Sequence, residues 1–145
     1  MKSWALKPWL LLLLATIATL GAAGSSLRAS KPDVKKAVMG VIDGQLAAFR
    51  AGDVSKAYGF AAAPLRAQTS LRSFVAIVQT NYPELWANQR AEYGIVYDDG
   101  NRARVLVHVF SESGQATFDY VLLRERAGWR IGSVLRHDVR GEGNV

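Results

Sequence analysis

The sequence predicts an α+β domain in which N-terminal helices pack on a strongly curved antiparallel β-sheet. Three observations predict it. Apolar residues in the first part of the chain recur with the helical period, whereas those after residue 90 alternate. Asp-Gly, Ser-Gly and Ala-Gly pairs punctuate the second part at the spacing of hairpin turns. Helices first and a strand meander second is the order of an α+β architecture. At 145 residues, half of them apolar, the chain builds one domain with a real core plus an N-terminal extension.

The helix expected over 33–52 organises the rest. Val34, Val38, Val41, Ile42, Leu46 and Phe49 recur at spacings of three, four and seven, which makes one apolar stripe. Ser30 is the expected N-cap, with Pro32 in the first turn. Gly52 is the expected left-handed stop. Gly40 and Gly44 lie inside the helix and cost roughly 1 kcal/mol each against alanine, which implies close packing against the sheet. Gln45 is the one uncharged hydrogen-bonding side chain of this helix, at the edge of the stripe. A second helix is expected over 54–62, capped by Asp53 and ended by Pro64. A short connection over 65–69 leads to a third helix over 71–81, capped by Ser70. Tyr82 and Pro83 end that helix, and 83–89 is a loop anchored by Leu85 and Trp86.

Strands are expected over 91–97, 102–111, 115–126 and 129–138. With Ser113 and Gly114 as one tight turn and Ala127 and Gly128 as another, Val109 faces Phe118, Val107 faces Tyr120 and Val105 faces Leu122. Trp129, Ile131, Ser133, Leu135 and His137 then join that helix-covered face. The opposite face is mixed, with Asp119 flanked by His108 and Arg136. A slip of one residue would exchange the faces. The first hairpin already requires a bulge, because a tight Asp99-Gly100 turn would turn Tyr93, Ile95 and Tyr97 all onto the mixed face.

Residues 1–24 have the pattern of a signal peptide or N-terminal membrane segment. Lys2 and Lys7 precede an apolar run over 9–20, and Gly21, Ala22, Ala23 and Gly24 supply the small residues of a cleavage site, expected after Ala23. The alternative is an inner-membrane anchor over 9–23, which is shorter than the roughly 20 residues that span comfortably. Either way the domain, 32–138, is expected in the periplasm or secreted, with a flexible spacer over 25–31 and a disordered tail over 139–145. Membrane contact is expected only through this segment, if uncleaved. The formal charge of +6 loses two with Lys2 and Lys7. That modest, scattered field has no basic run interleaved with aromatics, so nucleic acid is not an expected partner. There is no cysteine, and two histidines alone do not make a metal site, so no metal or cofactor is expected.

Three stretches resemble an uncharacterised bacterial exported family, the domain of unknown function 4864. They are VMGVIDGQLAAFRAGD over 38–53 with Ala57-Tyr58 and Ala63-Pro64, FVAIVQTNYPELW over 74–86, and GWRIGSV over 128–134. The resemblance implies membership of the nuclear-transport-factor-2-like (SnoaL-like, cystatin-like) superfamily and a cone of helices and sheet around a pocket. It implies no activity, and fold alone assigns none.

Two groups of residues could carry chemistry. His108 with Asp119 forms a potential acid/base pair, since a carboxylate orients an imidazole. His137 is the other catalytic candidate, on the helix-covered face with Ser133. Gln45, Tyr58, Ser133 and His137 would line the pocket, and Trp86 with Tyr82 and Pro83 would close its mouth. No carboxylate is expected inside, which argues against isomerase- or cyclase-type chemistry. The expected function is therefore a non-enzymatic exported domain that binds a small ligand or an envelope protein. The alternatives are an enzyme with a small acid/base site in the cone, or a homodimeric structural module paired through the mixed sheet face.

Overall fold

A computed structural model describes residues 26–137. The expected signal segment and the expected tail lie outside the described residues. In chain order the elements are β1 (Arg28–Ala29), α1 (Pro32–Arg50), α2 (Val54–Gly59), α3 (Ala63–Gln68), α4 (Leu71–Asn81), α5 (Pro83–Trp86), β2 (Asn88–Tyr93), β3 (Tyr97–Asp98), β4 (Arg102–Ser111), β5 (Gly114–Glu125) and β6 (Gly128–Arg136). The fold is α+β. Helices precede a six-stranded antiparallel sheet of order β1-β3-β4-β5-β6, and β2 shares with β3 the edge of β4 that β5 leaves free.

The stripe of α1 forms as its period requires. Val38, Ile42, Leu46 and Phe49 are buried, each worth roughly 1.5–3 kcal/mol when removed from water. That outweighs two helical glycines at about 1 kcal/mol each. Gly52 adopts φ +71°, its N–H bonds the Phe49 carbonyl and the Asp53 N–H bonds the Ala48 carbonyl, the double closure of a left-handed helix stop. Asp53 and Ser70 cap α2 and α4 through the N–H groups of Lys56 and Ser73.

Ser30 does not cap α1. The N-cap is Lys31, without a side-chain bond. The Ser30 hydroxyl donates to Asp98, and its N–H bonds the Val96 carbonyl at 2.8 Å. The stretch expected as a flexible spacer thus carries β1, paired with Tyr97 and Asp98. The close approach expected at the helix glycines is not to the sheet. A Cβ on Gly44 would meet the Phe60 ring at 2.5 Å, and one on Gly40 would meet nothing within 4 Å.

The second helix is shorter than its pattern, because Phe60, Ala61 and Ala62 leave it to pair along the free edge of β6. The Ile131 N–H bonds the Phe60 carbonyl, and the Ala62 N–H bonds the Ile131 carbonyl, each at 2.8 Å. Pro64 therefore starts α3 instead of ending α2, as proline in a first turn can. Glu125 receives the Ala63 N–H at that start.

Both long hairpins differ from the expected register by two residues, for one reason. Gly114 and Gly128 take positive φ, 133° and 124°, and each closes its turn from the strand side. The turn residues are then Glu112 and Ser113 in one case and Arg126 and Ala127 in the other. Val107 faces Phe118, Val105 faces Tyr120 and Ala103 faces Leu122. An even shift keeps every side chain on its face, so the valine face still covers the core. It does separate His108 from Asp119, which pair with Thr117 and Leu106.

β6 departs further. Leu122 pairs with Ile131 but Val121 pairs with Ser133, so Gly132 is an extra residue at a bulge. Val134 and Arg136 then lie opposite Tyr120 and Phe118 on the helix side, while Leu135 and His137 turn away with Asp119 and Thr117. The expected placement of Ser133, Leu135 and His137 on the helix-covered face, and of Val134 and Arg136 on the mixed one, is thereby reversed along the strand, with Ser133 opposite Val121. The suspected bulge in the first hairpin is present. Tyr97 pairs with Arg104 and Tyr93 with Val107, so Tyr93 rejoins the core side and Ile95, 63% exposed, does not.

Two stability measurements check this packing. Gly40→Ala should raise stability by about 0.5–1 kcal/mol in urea denaturation, since nothing obstructs the new methyl group. Gly44→Ala should lose that gain to the Phe60 ring, and equal gains at both sites would contradict the packing described. The Tyr120 hydroxyl is fully buried with no hydrogen-bond partner among the described residues. Tyr120→Phe should leave the midpoint unchanged or raise it, because it removes a desolvated donor worth about 1–3 kcal/mol of penalty.

Candidate functional site

Where α4 and α5 face the last strand, the helices do not close flush on the sheet. A cleft of about 130 Å³ lies between them. α1 contributes Gln45 and Phe49, the α3 region Leu65 and Thr69, α4 Phe74, Ile77 and Val78, the next turn Tyr82 and Leu85, and β6 the run 131–135. Each follows from local pattern. Phe74 and Val78 are four apart and share a helix side, and Thr69 follows α3 as its extended C-cap, its N–H on the Leu65 carbonyl. Gly132 and Ser133 arrive through the bulge, and a Cβ at Gly132 would press within 3.1 Å of Leu123, so only glycine lets the strand bend there unobstructed. Leu135, 42% exposed, stands where the cleft meets solvent.

The seam beside the cleft is held by side chains. The Tyr82 hydroxyl donates to the Val134 carbonyl at 3.0 Å, and its ring lies 5.8 Å from that of Phe118. Arg136 pairs with Glu84 at 2.8 Å, bonds the Asn81 carbonyl at 3.0 Å, and stands over the Phe118 ring. The hydrogen bond from Arg136 holds the Glu84 carboxyl below the usual glutamate value. Among the described residues, Tyr82 is the only ionisable side chain on the cleft wall. Burial pushes its pKa up, against the opposing charge of Arg136, so it stays neutral near pH 7.

Among the residues expected to form a pocket, the structure brings Gln45 and Ser133 to the cleft wall. Gln45 is 3% exposed, and its Nε2 donates to the Ala57 carbonyl at 3.4 Å. Tyr58 stands behind the wall. Its hydroxyl donates to the Thr69 carbonyl at 2.6 Å and its ring leans on Phe74. Trp86 packs on Phe49, with ring centroids 5.9 Å apart, and supports the wall without lining it. His137 is exposed and lies opposite Thr117, away from the cleft.

The expected His108–Asp119 pair does not form. His108 contacts Thr117 Oγ1 and Gln115 Oε1, each at 2.7 Å. Asp119 instead accepts a forked pair of bonds from Arg104. Arg104 is 56% exposed, so that pair contributes at most about 1 kcal/mol. A carboxylate–tyrosine contact, Tyr93 donating to Asp43, lies outside the cleft lining. Burial, and then the Asp43 bond, raise the Tyr93 pKa. No cluster of three potential metal ligands occurs among the described residues.

Sequence reasoning missed Thr69 and Ile77 as wall residues, and Tyr82, expected to close the mouth with Pro83 and Trp86, lines the wall. A helix starting Ala-Pro at 63–64 was the available signal for Thr69, because proline is favoured in a first turn.

The sequence profile of a family described as "Domain of unknown function (DUF4864)" matches residues 31–143, most of the chain. No curated protein and no solved structure matches.

The seam has a testable pH dependence. A carboxyl held below its unfolded value contributes stability that is complete above that value and is lost as pH falls through the folded one. Lowering the pH below the ordinary glutamate value of 4.5 should therefore weaken the wild type through Glu84. Glu84→Gln should be less stable at neutral pH, and the difference should shrink in thermal melts toward about pH 3. A difference independent of pH would remove the ion pair from the seam.

Proposed function

The chain belongs to the DUF4864 family of domains of unknown function, and we propose that it is a non-enzymatic exported domain that binds a small ligand in the cleft between α4–α5 and β6. The observation that carries this reading is the composition of the cleft wall. Apolar side chains of Phe49, Leu65, Phe74, Ile77, Val78, Leu85, Ile131 and Val134 surround a few polar groups, the usual make-up of a small-molecule site. Acid–base catalysis needs a group poised to exchange a proton near the working pH. The one titratable side chain among the described wall residues, Tyr82, is shifted away from that range, and its hydroxyl donates to Val134. Export rests on the N-terminal pattern of lysines, apolar run and small residues over 1–24.

A second reading, pairing of two copies through the outer sheet face, is favoured by Tyr97, Leu106 and Leu135. These are 39–42% exposed on that one face.

Native mass spectrometry of the protein purified from its own envelope tests both readings together. A mass lacking the first 23 residues, with a bound small molecule, is the expected result. A ligand-free species starting at Met1 contradicts the proposal, and a monomer at high concentration contradicts the second reading.

A further inference from the structure

Gln45 is the most buried polar side chain on the cleft wall, 3% exposed. Its Nε2 donates to the Ala57 carbonyl. A carbonyl can only accept, so this bond fixes which end of the carboxamide is nitrogen. The other end, Oε1, has no donor among the described residues. It is not sealed in the core either, because the Tyr120 hydroxyl is the only side-chain polar atom among the described residues that is both fully sealed and unpartnered. Gln45 is one of the residues that line the cleft. The wall's other polar side chains are hydroxyls: Tyr82 donates its proton to Val134, and Thr69 and Ser133 each carry a group that can donate as well as accept, whereas Oε1 can only accept.

The remaining wall narrows the ligand further. Among the described residues it carries no charged side chain, so an ionised group would lose its hydration without a counter-charge. The volume, about 130 Å³, is close to that of an apolar cavity that takes one benzene ring, roughly 150 Å³.

We propose that the cleft selects a neutral ligand group of one ring or a short hydrocarbon chain bearing a single O–H or N–H donor, which bonds Gln45 Oε1. This rests on the reading of the cleft as a binding site and adds the chemical class and the residue that recognises it. The recognition is directional. In a wholly apolar cavity, toluene outcompetes phenol, because phenol must surrender its bond to water. An acceptor waiting on the wall reverses that order.

The test uses phenol, toluene and benzoate as probes, titrated into the wild-type domain and followed by methyl NMR shifts of Leu65, Val78, Ile131 and Val134. Phenol should bind about tenfold more tightly than toluene, the size of one ordinary hydrogen bond, and benzoate should not perturb these methyls. Gln45→Leu should cost phenol about tenfold and leave toluene equal or tighter. Gln45→Met repeats the test should the leucine variant fail to fold, and the wild-type phenol-to-toluene order stands without either. Toluene binding as tightly as phenol, phenol binding unchanged in the variants, or benzoate binding as well as phenol would each overturn the proposal. So would absence of binding by both neutral probes. Should an anionic molecule be found with the protein purified from its envelope, the ligand-binding reading would survive and this inference would fall.

Discussion

Opposite Val121 and Leu122, strand β6 carries one residue more than its partner, and that residue is Gly132. Because side chains alternate along a strand, a single extra residue exchanges the two faces of everything after it. Trp129 and Ile131, before the bulge, fill the core beside Leu122. After it, Val134 and Arg136 turn toward the helices, and Leu135 and His137 turn away. The wall of the cleft, the reach of Arg136 to Glu84 and Asn81, and the exile of His137 all follow from this one insertion. Glycine eases it, since a Cβ there would press within 3.1 Å of the Leu123 side chain. The same edge is covered ahead of the bulge by Phe60 and Ala62, whose backbones bond Ile131 and leave no open ladder there.

The helices are tied to this sheet by a small number of buried polar groups. Asn88, 3% exposed, donates to the carbonyls of Leu46 and Leu85 and accepts from Arg50. It thereby joins α1, α5 and the first residue of β2. Tyr82 and Arg136 make the corresponding tie on the other side of α5. Between these ties the apolar walls of α4 and β6 stay apart, and the cleft is the space left over. A cleft held open by hydrogen-bonded seams on its margins can carry a polar side chain such as Gln45 on its wall without exposing it broadly to water.

The long helix was legible, because nineteen residues with a consistent 3.6 period and a terminal glycine have few alternatives. Gln45 was legible as a residue to inspect, since a lone amide at the border of an apolar stripe must find a partner or a cavity. The cap of α1 was not. Ser30 has the right chemistry, but Asp98 and the Val96 carbonyl, 68 and 66 positions along the chain, compete for it and win. The proposed pairing of His108 with Asp119 failed for a similar reason. Glycines at 114 and 128 close their turns instead of forming them, and cross-strand neighbours change by two. Thr69 was hidden because Pro64 can end one helix or begin the next, and the β6 edge decides which.

By itself, then, the sequence determined the α+β class, the buried face of α1, the apolar face of β4 and β5, and two of the three side-chain helix caps it suggested, at Asp53 and Ser70. These rest on periodicity and on contacts within a few residues, which chain order already contains. Tertiary structure decided the bulge at Gly132, the short strand β1 at the sheet edge, the partner of every outward-facing charge, and the composition of the cleft. Those depend on which distant backbone reaches an edge first, and pairing energies of about 1 kcal/mol or less per contact are enough to settle such a contest.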